Sequence, residues 1–443
     1  MSKWLSSTLL FVFFTVPAFG ANLDLTPLQR SLQFNFSFPG ARSLGMGGAF
    51  IGRADDASAA EANPAGLTVI VKPEVTFELR QLDYAEKVPF GIAGSTGGQI
   101  KVSDQHTTPS FFSVVFPSGH STIALYYSRP FDYQQSASLS TGNGVLGTVA
   151  GQQFFFGDAP GNFSVHYKTE AFGVSGAWKL GQMSFGLSAR RQRFKGISTF
   201  ADYDVALSGG SIVKGSPSPT LFGRIEGSDT QYAYTAGWKW ASQSENFSVG
   251  AVYKSGSDYS VKECNPNSAS ERCTSANALP SSFEVPTQYG AGVSIRPAPG
   301  VTLNADVVHV QYSRLLKHFE PAEFCAGASI CKPATSLGFD IPDVNEIHLG
   351  GEWAFPAARI PFALRAGWWH DPDHTLRYRG PTTSSDPFEK AAMQYSAFRY
   401  PGEKAQNHIA FGVGYIAPSF EINAAYDHSS LARTASLSAL KRF

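Results

Sequence analysis

The links between the strand-like segments of this chain alternate strictly in length, and few architectures absorb that alternation. From residue 72 onward apolar and polar residues alternate with a period of two, as in strands with one apolar face. Fourteen strands are predicted, at 72–84, 107–117, 121–131, 164–180, 183–200, 222–241, 246–258, 283–296, 301–314, 344–356, 361–373, 405–417, 420–429 and 434–443. The links near 118–120, 181–182, 242–245, 297–300, 357–360 and 418–419 are tight; those at 85–106, 132–163, 201–221, 259–282, 315–343 and 374–404 are long, and only the last, 430–433, is brief. Short turns at one end, long loops at the other, an even strand count and both strand termini on the short-turn side describe an all-β, 14-stranded antiparallel transmembrane β-barrel.

Register and pattern agree within the hairpins. Around Gly181-Gln182, Phe172, Val174, Trp178 and Leu180 share one face with Met183, Phe185, Leu187 and Ala189, and a two-residue loop sets Leu180 opposite Met183. The second face is polar, as in Gln288, Ser294, Arg296, Asn304 and Asp306, or His348, Glu352 and Arg365. A soluble sandwich also alternates, so the aromatics decide. Trp178, Trp238, Trp240, Trp353, Phe355 and Tyr415 gather near short turns, as a girdle at the periplasmic interface requires. The chain ends on Phe443 after Ala435, Leu437 and Ala439, a terminal pattern usual in outer-membrane barrels. Charged residues are only 16% of a chain with 43 Gly, 35 Phe and 17 Tyr, a strand-and-turn composition. Lys+Arg and Asp+Glu balance at 35 each, which argues against a nucleic-acid surface.

Ahead of the strands, Lys3 precedes an apolar run from Leu9 to Val16, then Pro17 and Ala18-Phe19-Gly20. Residues 1–20 read as a signal peptide cleaved before Ala21, the run being too short to span a membrane. No Cys follows that site to carry a lipid. Export places the barrel in the bacterial outer membrane, among lipid and lipopolysaccharide, and a monomer is expected. The cysteines form two close pairs in separate long loops, which favours local disulfides Cys264–Cys273 and Cys325–Cys331 over the other connectivities and over a zinc site.

Residues 21–71 then hang below the barrel or fold into it. Gly45, Gly47, Gly48 and Gly52 allow close backbone packing, and 54–62 has helix-forming content with Asp55 and Asp56 early, where acids suit the positive end of a helix, ahead of a metal or proton site. Asn63-Pro64 stops that helix, with Asn63 serving backbone groups in the turn. A small N-terminal helical plug is the physical reading. The hatch stretch ADDASAAEANPAGL, together with 285–290 leading to 303–306 and Leu364-Arg365-Ala366-Gly367-Trp368-Trp369, resembles the FadL/OmpP1/TodX family of outer-membrane transporters for hydrophobic compounds. The start at 40–50, GARSLGMGGAF, is more similar to PorV-type barrels, which act as protein-interaction or secretion scaffolds.

The first resemblance implies passive uptake of long-chain fatty acids or aromatic hydrocarbons, with Asp55, Asp56, Asn63, Pro64, Ala65 and Gly66 in the hatch and lateral exit into the membrane where a strand kinks. Pro130, which removes a ladder donor, marks a candidate kink or simply a strand end. Arg190 is expected in the lumen, with Arg191 and Arg193 toward lipopolysaccharide phosphates. No catalytic motif appears: there is neither G-x-S-x-G nor H-E-x-x-H, and 369–373 reads as solvated polar surface. No cofactor, metal or enzymatic activity is expected.

Overall fold

The computed structural model describes residues 39–90, 98–139, 141–149, 152–158, 161–202, 205–208, 211–214, 221–264, 272–274, 278–317, 323–325, 331–333, 339–374, 377–380, 383 and 405–443. The expected signal peptide and the 21–38 part of the plug lie outside the described residues.

Fourteen antiparallel strands close into one barrel. In chain order they are Glu74–Phe90, Gly98–Ser118, Ser121–Ser128 continued by Asp132–Leu139, Gly161–Leu180, Met183–Asp202, Leu221–Ala241, Phe247–Lys254 continued by Ser257–Cys264, Ala278–Val285 continued by Gln288–Ala298, Val301–Val310, Val344–Phe355, Phe362–Asp371, Gln406–Ile416, Phe420–His428 and Ala432–Arg442. The first strand pairs with the last from Glu74 opposite Arg442 to Tyr84 opposite Ala432, which leaves the sheet without an edge. Short ladders at 141–158, 205–214, 323–333 and between 339–340 and 377–378 belong to the long-loop end.

Alternation sets the two faces of the wall. Phe172, Leu187, Tyr232, Leu364 and Phe411 point outward and stay exposed, whereas Ser175, Thr235, His348 and Arg365 point inward and are buried. That inversion of a soluble protein's pattern is what a lipid-facing wall around a polar lumen requires. No described helix is long and apolar enough to cross a membrane.

Several strands run beyond their expected ends; the first two pair as far as Phe90 opposite Gly98. Past the membrane the apolar periodicity stops, as in Ala85-Glu86-Lys87, while backbone pairing continues, so hydropathy marks the embedded part only. The ninth strand instead ends at Val310 and turns into a one-turn helix, Arg314–Lys317. The disulfide Cys264–Cys273 is formed, with Cα atoms 5.6 Å apart. Cys325 and Cys331 stand opposite each other in a short ladder; their side chains lie outside the described residues.

Candidate functional site

Residues 39–71 fill the lower lumen, and nearly all of them are buried. Two short pieces of helix, Ala41–Gly45 and Ala59–Ala62, are followed by a 3₁₀ turn over Pro64–Val69. The helix expected over 54–62 thus shrinks to four residues, and the two acids sit outside it. Asp56 Oδ1 accepts from the Ser58 backbone N–H and hydroxyl, closing an Asx turn. Asp55 pairs with Arg42 at 2.6 Å and with Arg53 at 2.6 Å. Burial works to raise the Asp55 carboxyl, but the Arg42 and Arg53 guanidiniums outweigh it and hold it well below the usual carboxylate range. Asp56 is pushed the other way, by burial first and by its neighbour Asp55, against the pull of Arg42.

Arg42 continues this network into the wall. It grips Glu352 with two bonds of 2.9 Å, and Arg365 reaches the same carboxylate at 2.7 Å. A second anchor is Asp306, whose Oδ2 accepts from the backbone N–H groups of Phe50 and Ile51. Asn63, extended ahead of Pro64 as a pre-proline residue must be, accepts from Ala65 N–H and donates to the carbonyls of Ile51 and Trp238. Pro64 and Ala65 lie against Gly186 and Gly237 of the wall, while Gly66 packs on Ala54 within the plug. A side chain on Gly186 would begin 2.2 Å from the Ala65 nitrogen, and one on Gly367 would begin 2.1 Å from the Gly47 nitrogen. At Gly186, Gly350 and Gly367 the plug comes so close to the wall backbone that no wall side chain fits.

Above the plug the inward residues change character. Tyr133, Tyr167, Phe194, Tyr259, Val308 and Tyr312 join Ile51 of the plug in one apolar cluster drawn from the third to ninth strands and the turn after the ninth. Phe194 packs on Tyr259 at 5.1 Å and on Tyr167 at 5.6 Å. At the base of this lining stand Arg190, in the lumen and bonded to Thr235 at 2.7 Å, and Lys254. Arg191 and Arg193 face outward.

The 369–373 stretch is not solvated surface. Trp369 points inward, stacks on His408 at 3.7 Å and donates to Asp427, and buried Asp371 lies 3.3 Å from His374. The period of two persists to Asp371, so residues 369 and 371 share the lumen face.

At Pro130 the third strand breaks and resumes at Asp132. Its ladder to the second strand stops at Phe111 opposite Ser128, and beyond it only Ser103 opposite Ser136 remains. Arg129 fills the gap with bonds to Thr108, Asp132 and Glu170.

Arg42, Asp306, Glu352 and the wall glycines are the site residues that sequence reasoning did not single out. Asp306, Glu352 and Arg365 did stand on the polar face read from periodicity, the one signal that pointed to them.

The model of the outer membrane protein transport protein family (OMPP1/FadL/TodX) matches residues 36–377. Among solved structures the chain is similar to a Pseudomonas aeruginosa FadL homologue, with TM-score 0.58 and 15% identity over 90% of this chain and 98% of that one. The Ralstonia pickettii toluene transporter TbuX gives 0.56 and 14% over 93% and 100%. The Pseudomonas putida toluene transporter TodX gives 0.52 and 14% over 91% and 98%. At these identities the likeness concerns the fold. No curated protein matches the chain.

Proposed function

The chain belongs to the OMPP1/FadL/TodX family of outer-membrane transport proteins, and on that premise we propose that it takes up long-chain fatty acids or aromatic hydrocarbons passively, with the plug as hatch and lateral exit at the third-strand break. One observation carries this reading: an aromatic and aliphatic lining in the upper lumen, seated directly on a plug that closes the lower lumen. An apolar molecule gains about 0.8 kcal/mol per buried CH₂ in such a lining, then needs a path to lipid rather than to water. The break at Arg129-Pro130-Phe131 supplies that path in this reading.

The substrate choice turns on Arg190 and Lys254. A fatty acid's carboxylate reaches these two cations only in competition with the Glu61 carboxylate of the plug, which already faces both, whereas a neutral aromatic hydrocarbon needs the lining alone. Competition between oleate and toluene for the purified protein distinguishes the two classes.

Asn63→Ala and deletion of 54–66 test the hatch. Both variants are expected to change uptake of the bound class while the barrel still assembles, read as heat-modifiable mobility; normal uptake in both removes the hatch mechanism.

A further inference from the structure

The backbone ladder of the barrel wall is interrupted in a second place. Between the sixth and seventh strands the ladder runs from Ala241 opposite Ser248 up to Thr235 opposite Lys254, and resumes only from Glu226 opposite Lys262 to Arg224 opposite Cys264. Residues 227–233 therefore face the seventh strand without a ladder pair, a window of roughly 20 Å at the usual strand rise. It is spanned by the Asp229 carboxylate, which accepts from the Ser260 N–H at 3.0 Å, and by Gly227 packed on Val261.

The cause is a hinged hairpin. The seventh and eighth strands both break at one height, at Ser255-Gly256 and at Pro286-Thr287, and their mutual register passes unshifted from Lys254 opposite Gln288 to Ser257 opposite Val285. Pro286 has no ladder donor. A Cβ on Gly256 would sit 2.3 Å from the Val285 carbonyl oxygen, and the Gly256 N–H turns to the Thr287 hydroxyl at 3.1 Å. Beyond the hinge the segment Ala278–Val285 pairs, among the described residues, only with Ser257–Cys264, and its other side meets the helix Arg314–Lys317 through Arg314 and Glu284. The hairpin leans into the lumen: the hydroxyls of Tyr259 and Ser257 both donate to Gln192 on the fifth strand, across the inner face of the sixth. Tyr259 is thereby part of the apolar lining and part of the latch.

Outside the window the surface suits an apolar guest. Tyr232 stands within its lower part and Tyr234 just below it, both exposed on the outer face, as aromatics at a lipid interface are. Just below lies an outward groove of about 540 Å³, within the range of small-molecule sites. Ala251 and Ala291, paired across the seventh and eighth strands, are among the small residues of this groove, and Trp238, Tyr253 and Tyr289 are among its large ones. Val252 and Gly290 border both this groove and a small inner cavity beside Ile51 and Lys254. The wall is one residue thick there.

We propose that the paired segments Ser257–Cys264 and Ala278–Val285 form a second lateral door, and that the outer groove receives the hydrophobic molecule released through it. The proposal rests on the transport reading, and the test separates the two. Purified full-length protein in lipid nanodiscs is given a diazirine-bearing palmitate from the aqueous side, illuminated, and mapped by peptide mass spectrometry. In the unmodified protein, label is expected both on the lining (Phe194, Tyr259) and in the groove (Tyr253, Tyr289). The pair Asp229→Cys and Ser260→Cys, oxidised, is expected to keep the lining label and lose the groove label. Gln192→Leu, which frees Tyr259 and Ser257, is expected to increase groove label and serves if the cysteine pair does not assemble. Groove label that ignores both the lock and Gln192→Leu means the probe arrives directly from the bilayer, and overturns the door. Absence of lining label in the unmodified protein overturns the transport reading itself.

Discussion

At the scale of single residues the plug is held by many hydrogen bonds and ion pairs to the wall, among them those from Ser175 to the Ala60 carbonyl and between His348 and the Gly47 carbonyl. Asp306 is the clearest: one buried carboxylate accepts from two consecutive backbone N–H groups, of Phe50 and Ile51, at the end of the GMGGAFI stretch. Each buried N–H left unsatisfied costs about 1–3 kcal/mol, so Asp306→Ala is expected to loosen the plug without unfolding the wall. In planar bilayers the variant should show channel openings that the unmodified protein lacks, with heat-modifiability retained; a silent, closed variant contradicts this anchor. These contacts were hidden from sequence reasoning for a physical reason. Arg42 and Glu352 lie 310 residues apart, and Phe50 and Asp306 lie 256 apart, so no spacing along the chain reports them. Asp55 was visible as an acid near a helix start, yet its partners are guanidiniums, which a helix dipole cannot rival when all are buried.

At the scale of elements, the breaks matter more than the strands. The third strand carries one extra residue relative to the fourth: its register moves from Ser128 opposite Ala171 to Asp132 opposite Lys168, while its register to the second strand is the same below and above the gap. Deleting Pro130 removes that excess. The deletion is expected to straighten the strand and depress uptake of oleate or toluene, with binding to the purified protein unchanged; uptake at the unmodified rate would show that this break is not an exit. The strands themselves were legible because a period of two and tight turns survive in the embedded part, where one face meets lipid and the other the lumen. The interruptions were not. Pro130 reads more readily as a strand end than as a kink until the strand is seen to resume at Asp132, and Ser255-Gly256 lies inside the strand expected over 246–258, so its break shows only in the structure. The four-residue helix at Ala59–Ala62 was over-read because helix propensity in an Ala-rich run is a weak prior that contacts with the wall override.

At the scale of the whole molecule, three layers follow in order along the lumen. A closed sheet meets lipid with an apolar outer face; a glycine-lined lower lumen grips a plug through Arg42, Asp306 and Asn63; an upper lumen turns aromatic and apolar above it. This order suits a molecule that prefers grease to water at every step, and it is why the family assignment and the physical reading converge. Native mass spectrometry of the detergent-purified protein, followed by organic extraction and identification of what is released, tests this most directly. The expected result is a reproducible bound fatty acid or hydrocarbon that added oleate or toluene displaces. A barrel that carries no such molecule, takes up neither competitor and instead copurifies with a specific protein would contradict transport and point to a docking scaffold.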